Sequence, residues 1–470
     1  MSTFSGLSTA LSSLHAQRQA LEVAGQNVAN ANTVGYTRQR ADLTAVESAL
    51  VPSLHSGAVG TGNGTRVTGI ARLGDVFADA RLRAETGSAS YAAARSEVYL
   101  RLESTVAEPG DKGVSHALDQ FWSSWGELGN TPDSDAARAV VLEDANALAA
   151  RISAGHAAVA TQWGQARTEL EAAVVDINSS AEMVADLNGR IRALTASGSP
   201  ANELVDQRSR LVTQLAGQVG ASAVEREDGT LDVMVAGNAL VRGERAHAIE
   251  TAPNTFTMGS TVAVRWAGTN TELNSDAGQV AALVTALAPA DRDGILTSAA
   301  ASYDTLAATL VERVNTLHAG AYTAGSPQTT GNAFFRPTPA GQSAAAALTV
   351  QVTDTTQIAI AGAGLGPNDG SVADALAALG TSTTGPNATW STFVVDLGVS
   401  SRAATQRATV AESTRSTAEQ IQLAGASVDI DEESVNMLAY QRAYEGAARV
   451  LTAIDEMLDT LINRTGVVGR

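Results

Sequence analysis

Apolar residues at heptad spacing mark both ends of the chain. Near the start, Leu7, Leu11, Leu14, Leu21 and Val28 fall on one four-and-three repeat, with Arg18 and Gly25 at its weak positions. Near the end, Met437, Tyr440, Tyr444, Ala447, Leu451, Ile454, Leu458 and Leu461 alternate steps of three and four without interruption. A seam of this kind predicts a helix that must be buried against another helix. Neither end can bury its own, so the economical solution pairs the two ends and sets that pair against further copies.

Between the ends the pattern changes several times. Residues 37–73 read as extended and turn-rich, and 75–106 as a helix broken at Glu108-Pro109-Gly110. A short helix over 114–128 carries Phe121, Trp122 and Trp125, a pair of tryptophans that typically anchors a helix in a core. A very long helical region follows over 131–195, in one piece or two, and another helix over 202–217. Leu231, Val233 and Val235 then alternate with polar partners after Asp228-Gly229, which reads as a hairpin turn. Gly237-Asn238 is the candidate for the next turn, and 261–266 for a further strand. Helix resumes over 294–319, with Tyr303, Leu306, Leu310, Val314 and Leu317 on one face. Residues 320–390 are mixed, with strand signals over 348–352 and a short helix over 371–379. From 390 to 461 the chain is helical again, apart from a joint near 425–431.

Proline placement agrees with this division. None occurs before Pro52 or after Pro386, so both terminal segments lack the strongest helix breaker. The first helix, capped by Ser2, Thr3 or Ser5, would be roughly 40 Å long. It stops in Asn30-Ala31-Asn32-Thr33-Val34-Gly35-Tyr36, where Asn and Gly tolerate a left-handed backbone. The fold class expected is mainly α with a smaller β-rich domain (α+β), elongated and multidomain, its N- and C-terminal helices paired as a coiled coil. Residues 1–36 with 428–470 form the terminal domain; 37–217 with 276–320 and 390–427 a helical rod-like domain; 218–275 the β-rich domain; and 321–389 a mixed outer segment.

Composition narrows the chemistry. The chain has 470 residues, 44% of them hydrophobic but only 4% aromatic, and a net charge of −18. That charge argues against nucleic acid and anionic membrane surfaces, which need clustered cations. Cysteine is missing, which excludes disulfides and thiolate chemistry. No cleavable signal peptide and no run of 18 apolar residues is found, so no membrane span is expected. An exported protein would leave by a route that keeps its N-terminus.

Candidate chemical sites reduce to plainer features. The group Gly57-Ala58-Val59-Gly60-Thr61-Gly62-Asn63-Gly64 fits neither a dinucleotide fingerprint nor a P-loop and reads as a turn. The histidines at 15, 55, 116, 156, 247 and 318 have no helix-face metal spacing. Asp429, Asp431, Glu432 and Glu433 lack the ligand spacing of a calcium loop; they suit the first turn of the last helix, where the dipole favours anions. No catalytic, metal or cofactor site is expected.

Two stretches carry a resemblance. Gly6-Leu7-Ser8-Thr9-Ala10-Leu11 with Gln26-Asn27-Val28-Ala29-Asn30-Ala31-Asn32-Thr33-Val34-Gly35-Tyr36-Thr37-Arg38-Gln39 resembles the N-terminal motif of the axial proteins of the bacterial flagellum. That family commonly has proline where Val34 stands and serine where Thr37 stands. Asp431-Glu432-Glu433, Tyr440-Gln441-Arg442-Ala443-Tyr444 and residues 449–463 resemble its C-terminal helix. The long helical region and Leu204-Val205-Asp206-Gln207-Arg208-Ser209-Arg210-Leu211-Val212 are similar to its hook-associated junction members. By this resemblance Asn27, Asn30, Asn32, Gly35 and Tyr36 are motif residues.

The resemblance implies a non-enzymatic structural protein between hook and filament, exported through the flagellar type III channel. It implies partners as well: copies of itself in a ring or helical layer, the hook protein, a second hook-associated junction protein, and an export chaperone on the C-terminal helix. Rival readings share the ends. A hook or distal-rod protein would have a more β-rich middle between 75 and 320. A secreted enzyme or adhesin would bring catalytic residues or a metal together in a pocket, and a soluble coiled-coil scaffold would form a closed dimer.

Overall fold

The computed structural model describes residues 3–47, 62–253, 257–324 and 327–464, without the side chains of 3, 4 and 464. Ser2, His55, Gly57 and Gly60 lie outside the described residues, as does most of the tail after Asn463.

The chain runs α1 (Thr3–Ala29), β1 (Gln39–Ala45), β2 (Thr65–Arg72), α2 (Val76–Val106), α3 (Val114–Asn130), α4 (Asp135–Ala196) and α5 (Asn202–Val219). Small strands follow: β3 (Ser222–Glu225), β4 (Leu231–Val235), β5 (Asn238–Arg242), β6 (Arg245–Ala246), β7 (Ile249–Ala252) and β8 (Ala263–Trp266). Then come α6 (Gly278–Leu287), α7 (Ile295–Ala319), β9 (Tyr322–Thr323), β10 (Ala359–Ala361), α8 (Ser371–Ala377), α9 (Pro386–Ala426) and α10 (Ile430–Asp459). The fold is mainly α with small antiparallel sheets, and between 75 and 320 helix predominates. Among the described residues no helix is long and apolar enough to cross a membrane.

The long helical region is one helix of 62 residues, not two pieces. At 1.5 Å per residue α4 is roughly 90 Å long. Ser134 caps it, accepting from Ala137 N–H, and no proline interrupts it. Val141, Leu148, Ile152, Val159, Leu170, Ile177 and Val184 form a continuous buried stripe. A glycine inside a helix costs up to ~1 kcal/mol. Gly155 has a packing reason for its place: an added Cβ would lie 2.5 Å from the ring of Tyr303 on α7.

The sheet order is β3-β4-β5-β6, all antiparallel. Leu231, Val233 and Val235 of β4 are buried and their neighbours half-buried. Asp228-Gly229 turns β3 into β4, with Gly229 at φ +79°. The next turn lies one residue earlier than expected. Val235 pairs with Asn238, leaving Ala236 and Gly237 as the loop with φ 47° and 80°. A two-residue hairpin matching the strand twist needs positive φ at both central positions, and glycine takes the second of them. Asn188 of α4 holds this unit. Its Nδ2 donates to Leu231 O at 2.8 Å and Gly243 O at 2.6 Å, while its Oδ1 accepts from Leu231 N at 3.0 Å.

One further expectation needs correction. Residues 348–352 form no strand: Val350 makes an isolated bridge to Phe335, and the short strand of this segment is β10, paired with β9. The apolar signal is nonetheless real, because Leu348 and Val352 are buried in the main core with Phe334 and Phe335. Helix α6 is not among the helices that the apolar pattern predicts. It is short and apolar on every face, so it shows no stripe, and Val280, Ala282, Leu283 and Leu287 are all buried. Trp125 is fully buried in that core, and Trp122 donates to Asn387 Oδ1 at 2.7 Å.

His318 fastens the outer segment to α7. It is fully buried; its Nε2 accepts from Ala359 N–H at 3.0 Å, so the proton sits on Nδ1 and is donated to Asn332 O at 2.6 Å. A second ring proton would displace the Ala359 bond. Burial, partly offset by the Asn332 carbonyl, lowers its pKa below the usual 6.5. The unfolded chain therefore binds more protons as pH falls below that value. Stability from His318 is complete above it and is lost progressively toward the depressed folded value. Urea unfolding between pH 8 and 5 should show this loss, and His318→Gln should flatten that part of the profile.

Candidate functional site: the terminal helix pair and its polar hub

Helices α1 and α10 pack antiparallel: Gly6 of α1 adjoins Ile454 of α10, while Asn27 reaches Glu433 at the other end. The hairpin β1–β2 lies along α1, with Ala20, Val23 and Ala41 forming a small cluster against Tyr440. Gly64, at φ +98°, brings the hairpin against α1: an added Cβ would meet Ser12 Oγ at 2.1 Å.

The most buried stripe of α1 consists of Ala10, Ala16, Ala20, Val23, Ala24 and Asn27. The leucines of the predicted seam flank it. Leu7, Leu14, Leu21 and Val28 are half-buried, and Leu11 is 47% exposed. On α10, Ile454 is buried and Met437, Tyr440, Ala447, Leu451 and Leu458 are half-buried; Tyr444 and Leu461 are exposed. Beside this line, Val450, Met457 and Ile462 are also exposed. An isolated chain therefore leaves much of the apolar surface of the pair in water.

One end of the pair is closed by a polar hub. Asn27, 1% exposed, uses its whole amide: Oδ1 accepts from Gln39 N–H and Tyr36 O–H, both at 2.9 Å, and Nδ2 donates to Gln39 O at 2.8 Å and Glu433 Oε2 at 3.2 Å. The side chain thus meets Gln39 as a neighbouring strand would. Glu433 is buried, and its Oε1 accepts from Arg38 Nε at 2.7 Å. Arg38 also binds Glu432 at 3.0 Å, and its backbone N–H donates to Ala426 O at 2.9 Å in the joint before α10. Burial alone would lower the Arg38 pKa, but hydrogen bonds to Glu432 and Glu433 outweigh it and raise the pKa.

The acidic group at 429–433 is thereby accounted for. Asp429 caps α10, accepting from Asp431 and Glu432 N–H, and the two glutamates serve Arg38. Among the described residues no cluster could hold a metal ion.

The motif continues into α5. Thr37 N–H donates to Asp206 Oδ2 at 3.0 Å, and Arg72 Nε donates to Asp206 Oδ1 at 2.6 Å. Asn202 Nδ2 donates to Gln39 Oε1 and to Ile70 O, both at 3.0 Å. Gly35, at φ +76°, lets Arg210 reach over the turn to Val34 O at 3.0 Å. Asn30 accepts from Thr33, and Asn32 stays at the surface. Burial, with Glu203, Asp206 and Glu433 nearby, pushes the Tyr36 hydroxyl up to about 12. The phenol therefore remains a donor throughout the physiological range.

The structure thus brings Asn27, Gly35 and Tyr36 together with Arg38, Gln39, Arg72, Asn202, Asp206 and Glu433. Of these last six only Glu433 was singled out from the sequence, as an anion in the first turn of the last helix. Arg38, Gln39, Asp206 and Glu433 lie inside the stretches that carried the resemblance, but charge and spacing alone gave no reason to join residues 395 positions apart.

Another polar convergence joins a serine, a histidine and an aspartate. Ser343 Oγ lies 3.3 Å from His156 Nε2 and donates to Asp304 Oδ1 at 2.5 Å. Here the carboxylate takes the serine proton rather than orienting the imidazole. Asp304 also accepts from Ala345 N–H and Ser343 Oγ from Ala346 N–H, which makes the group a turn cap.

Comparison with known proteins covers both the helical body and the terminal pair. Residues 99–335 match the model of the flagellar hook-associated protein FlgK helical domain. Residues 7–37 match the flagella basal body rod protein model, and 420–464 the flagellar basal body rod FlgEFG protein C-terminal model. The chain is 28% identical over 510 aligned residues to flagellar hook-associated protein 1 of Bacillus subtilis, covering 100% of both. It is 30% identical to flagellar hook-associated protein 1 of Salmonella typhimurium over 249 residues, 52% of this chain and 44% of that protein. The structure of the flagellar hook junction protein FlgK from Burkholderia pseudomallei superposes with a TM-score of 0.62 at 15% identity. It covers 74% of this chain and 100% of that one, a likeness of fold.

Proposed function

Because the chain belongs to the flagellar hook-associated protein FlgK family, we propose that it is a structural component of the bacterial flagellum that forms the junction between hook and filament. The observation that carries this reading is the match to the FlgK helical domain, flanked by rod-protein matches on the two segments that pack as α1 and α10. A family of flagellar structural proteins is a non-enzymatic one.

Assembly proceeds in this reading through the terminal pair. The half-buried line from Leu7 to Val28 and from Met437 to Leu461, with the exposed apolar residues beside it, is covered by neighbouring copies in a ring or helical layer. The hub supports it by fixing the angle at which the pair leaves the helical body. The hook protein binds on one side and a second hook-associated protein on the other. An export chaperone covers α10 beforehand, and the chain leaves through the type III channel with its N-terminus intact.

Electron microscopy of flagella carrying an epitope-tagged chain tests the role. Label confined to the hook–filament boundary, and hooks without filaments when the chain is deleted, are expected. Label spread along hook or filament, or normal filaments without the chain, would overturn it.

A further inference from the structure

A cleft of about 480 Å³ opens beside the hub, between α2, α5, the turn before β1 and the joint of α9 with α10. Arg72, Arg83 and Arg210 line it together with Asp79 and Asp206. Both carboxylates are already engaged. Asp206 holds Arg72 and Thr37 N–H, while Asp79 accepts from Gln422 Nε2 at 3.1 Å and lies 3.7 Å from Arg72. Glu419, at the rim, pairs with Arg415 at 3.1 Å.

Arg83 is left over. It is 8% exposed, and its Nε is buried without a hydrogen-bond partner. Asp79, one turn earlier, forms a long ion pair with it at 4.0 Å, and among the described residues its side chain makes no hydrogen bond. A buried cation costs free energy unless it is paired and hydrogen-bonded. Asp79 and Glu225 offset part of that cost, and Arg72 adds to it. Burial lowers the pKa of Arg83 despite the opposing Asp79 carboxylate, and lowers that of nearby Arg208 to about 10. The guanidinium of Arg83 is thus left with a long ion pair and an Nε–H that has no acceptor.

We infer that this cleft is a carboxylate-binding site with Arg83 as its principal donor, and that the ligand is an acidic side chain of a neighbouring copy of the chain. The guanidinium fork matches the two oxygens of a carboxylate. Leu82, Leu423 and Val428 give the aliphatic stem of such a side chain an apolar wall, and Ser209 adds a hydroxyl donor. Charge complementarity favours a second copy. The chain carries 49 acidic against 31 basic residues, so carboxylates are what its surface most readily offers. The neighbour as source rests on the assembly reading above; the carboxylate site does not.

The test uses the full-length chain labelled with ¹⁵N-arginine. Acetate is titrated against chloride at constant ionic strength, and the Arg83 Nε–H resonance, assigned by its loss in Arg83→Met, is followed. It is expected to shift saturably with acetate and not with chloride. Arg83→Met fills the same space without charge. That variant is expected to melt no lower than the parent, yet to enter flagella at least tenfold less. An unmoved resonance overturns the site, and a lowered melting temperature would make Arg83 a structural cation instead. A saturable shift with unimpaired incorporation overturns the neighbouring copy as the source. Failure of the parent chain itself to incorporate would instead sink the junction role, so the two readings fail separately.

Discussion

Glu433→Ala is expected to free α10 from α1 and to speed amide exchange along α10 by about a hundredfold. Most of α10 is exposed or half-buried, and only Glu433 and Ile454 along it are buried. The helix is therefore fastened at few points, and one of them is a carboxylate that serves both Arg38 and Asn27. Removing one partner of a buried ion pair costs ~3 kcal/mol, because the other charge is left without compensation. Here the damage extends further, since Asn27 Nδ2 loses one of its two acceptors. For a segment that opens locally, ~3 kcal/mol converts to roughly a hundredfold in exchange rate. The helical body, with its own large core, should keep its protection. Glu433→Gln retains an oxygen acceptor for Arg38 and should fall between the two. If α10 exchanges in Glu433→Ala as in the parent chain, the hub does not hold the pair.

The unequal legibility of this chain follows from where its information lies. Periodicity is local, so the single apolar stripe of α7 and the alternation of Leu231, Val233 and Val235 could be read directly. The pairing of the two ends was legible for a different reason: a seam with no cover implies its partner. On α1, however, the residues that pack most tightly are alanines. Alanine stands out little from a chain rich in it, so the visible pattern is that of the flanking leucines. The hub lay beyond reach because its bonds cross hundreds of positions, from Asn27 to Glu433 and from Thr37 to Asp206. Each of those residues looks like an ordinary surface polar group until the fold encloses it. Arg83 is the extreme case, an arginine in a helix whose only abnormality is an Nε–H without an acceptor.

Val450→Lys combined with Met457→Lys is expected to leave the isolated chain unchanged and to lower its incorporation into flagella by about a hundredfold or more. These residues are seven apart on α10, so they lie one above the other, and they are 51% and 52% exposed. Neither is covered by α1, so substitution removes little from the monomer, within ~0.5 kcal/mol. Lysine is also a good helix former, and Asp455, Glu456 and Asp459 nearby receive its charge without repulsion. In a layer of copies the balance is different. Each apolar side chain buried between subunits contributes about 1.5–3 kcal/mol, and two together give ~3 kcal/mol or more. That difference corresponds to at least roughly two decades in affinity. Leu451 and Leu458 are a poorer choice, because they are half-buried and charging them would disturb the pair itself. The measurement is paired: circular dichroism melting of the monomer, and quantitative immunoblotting of purified flagella. Equal melting with strongly reduced incorporation locates the subunit contact on this stripe of α10. Equal melting with normal incorporation would move the contact elsewhere on the chain.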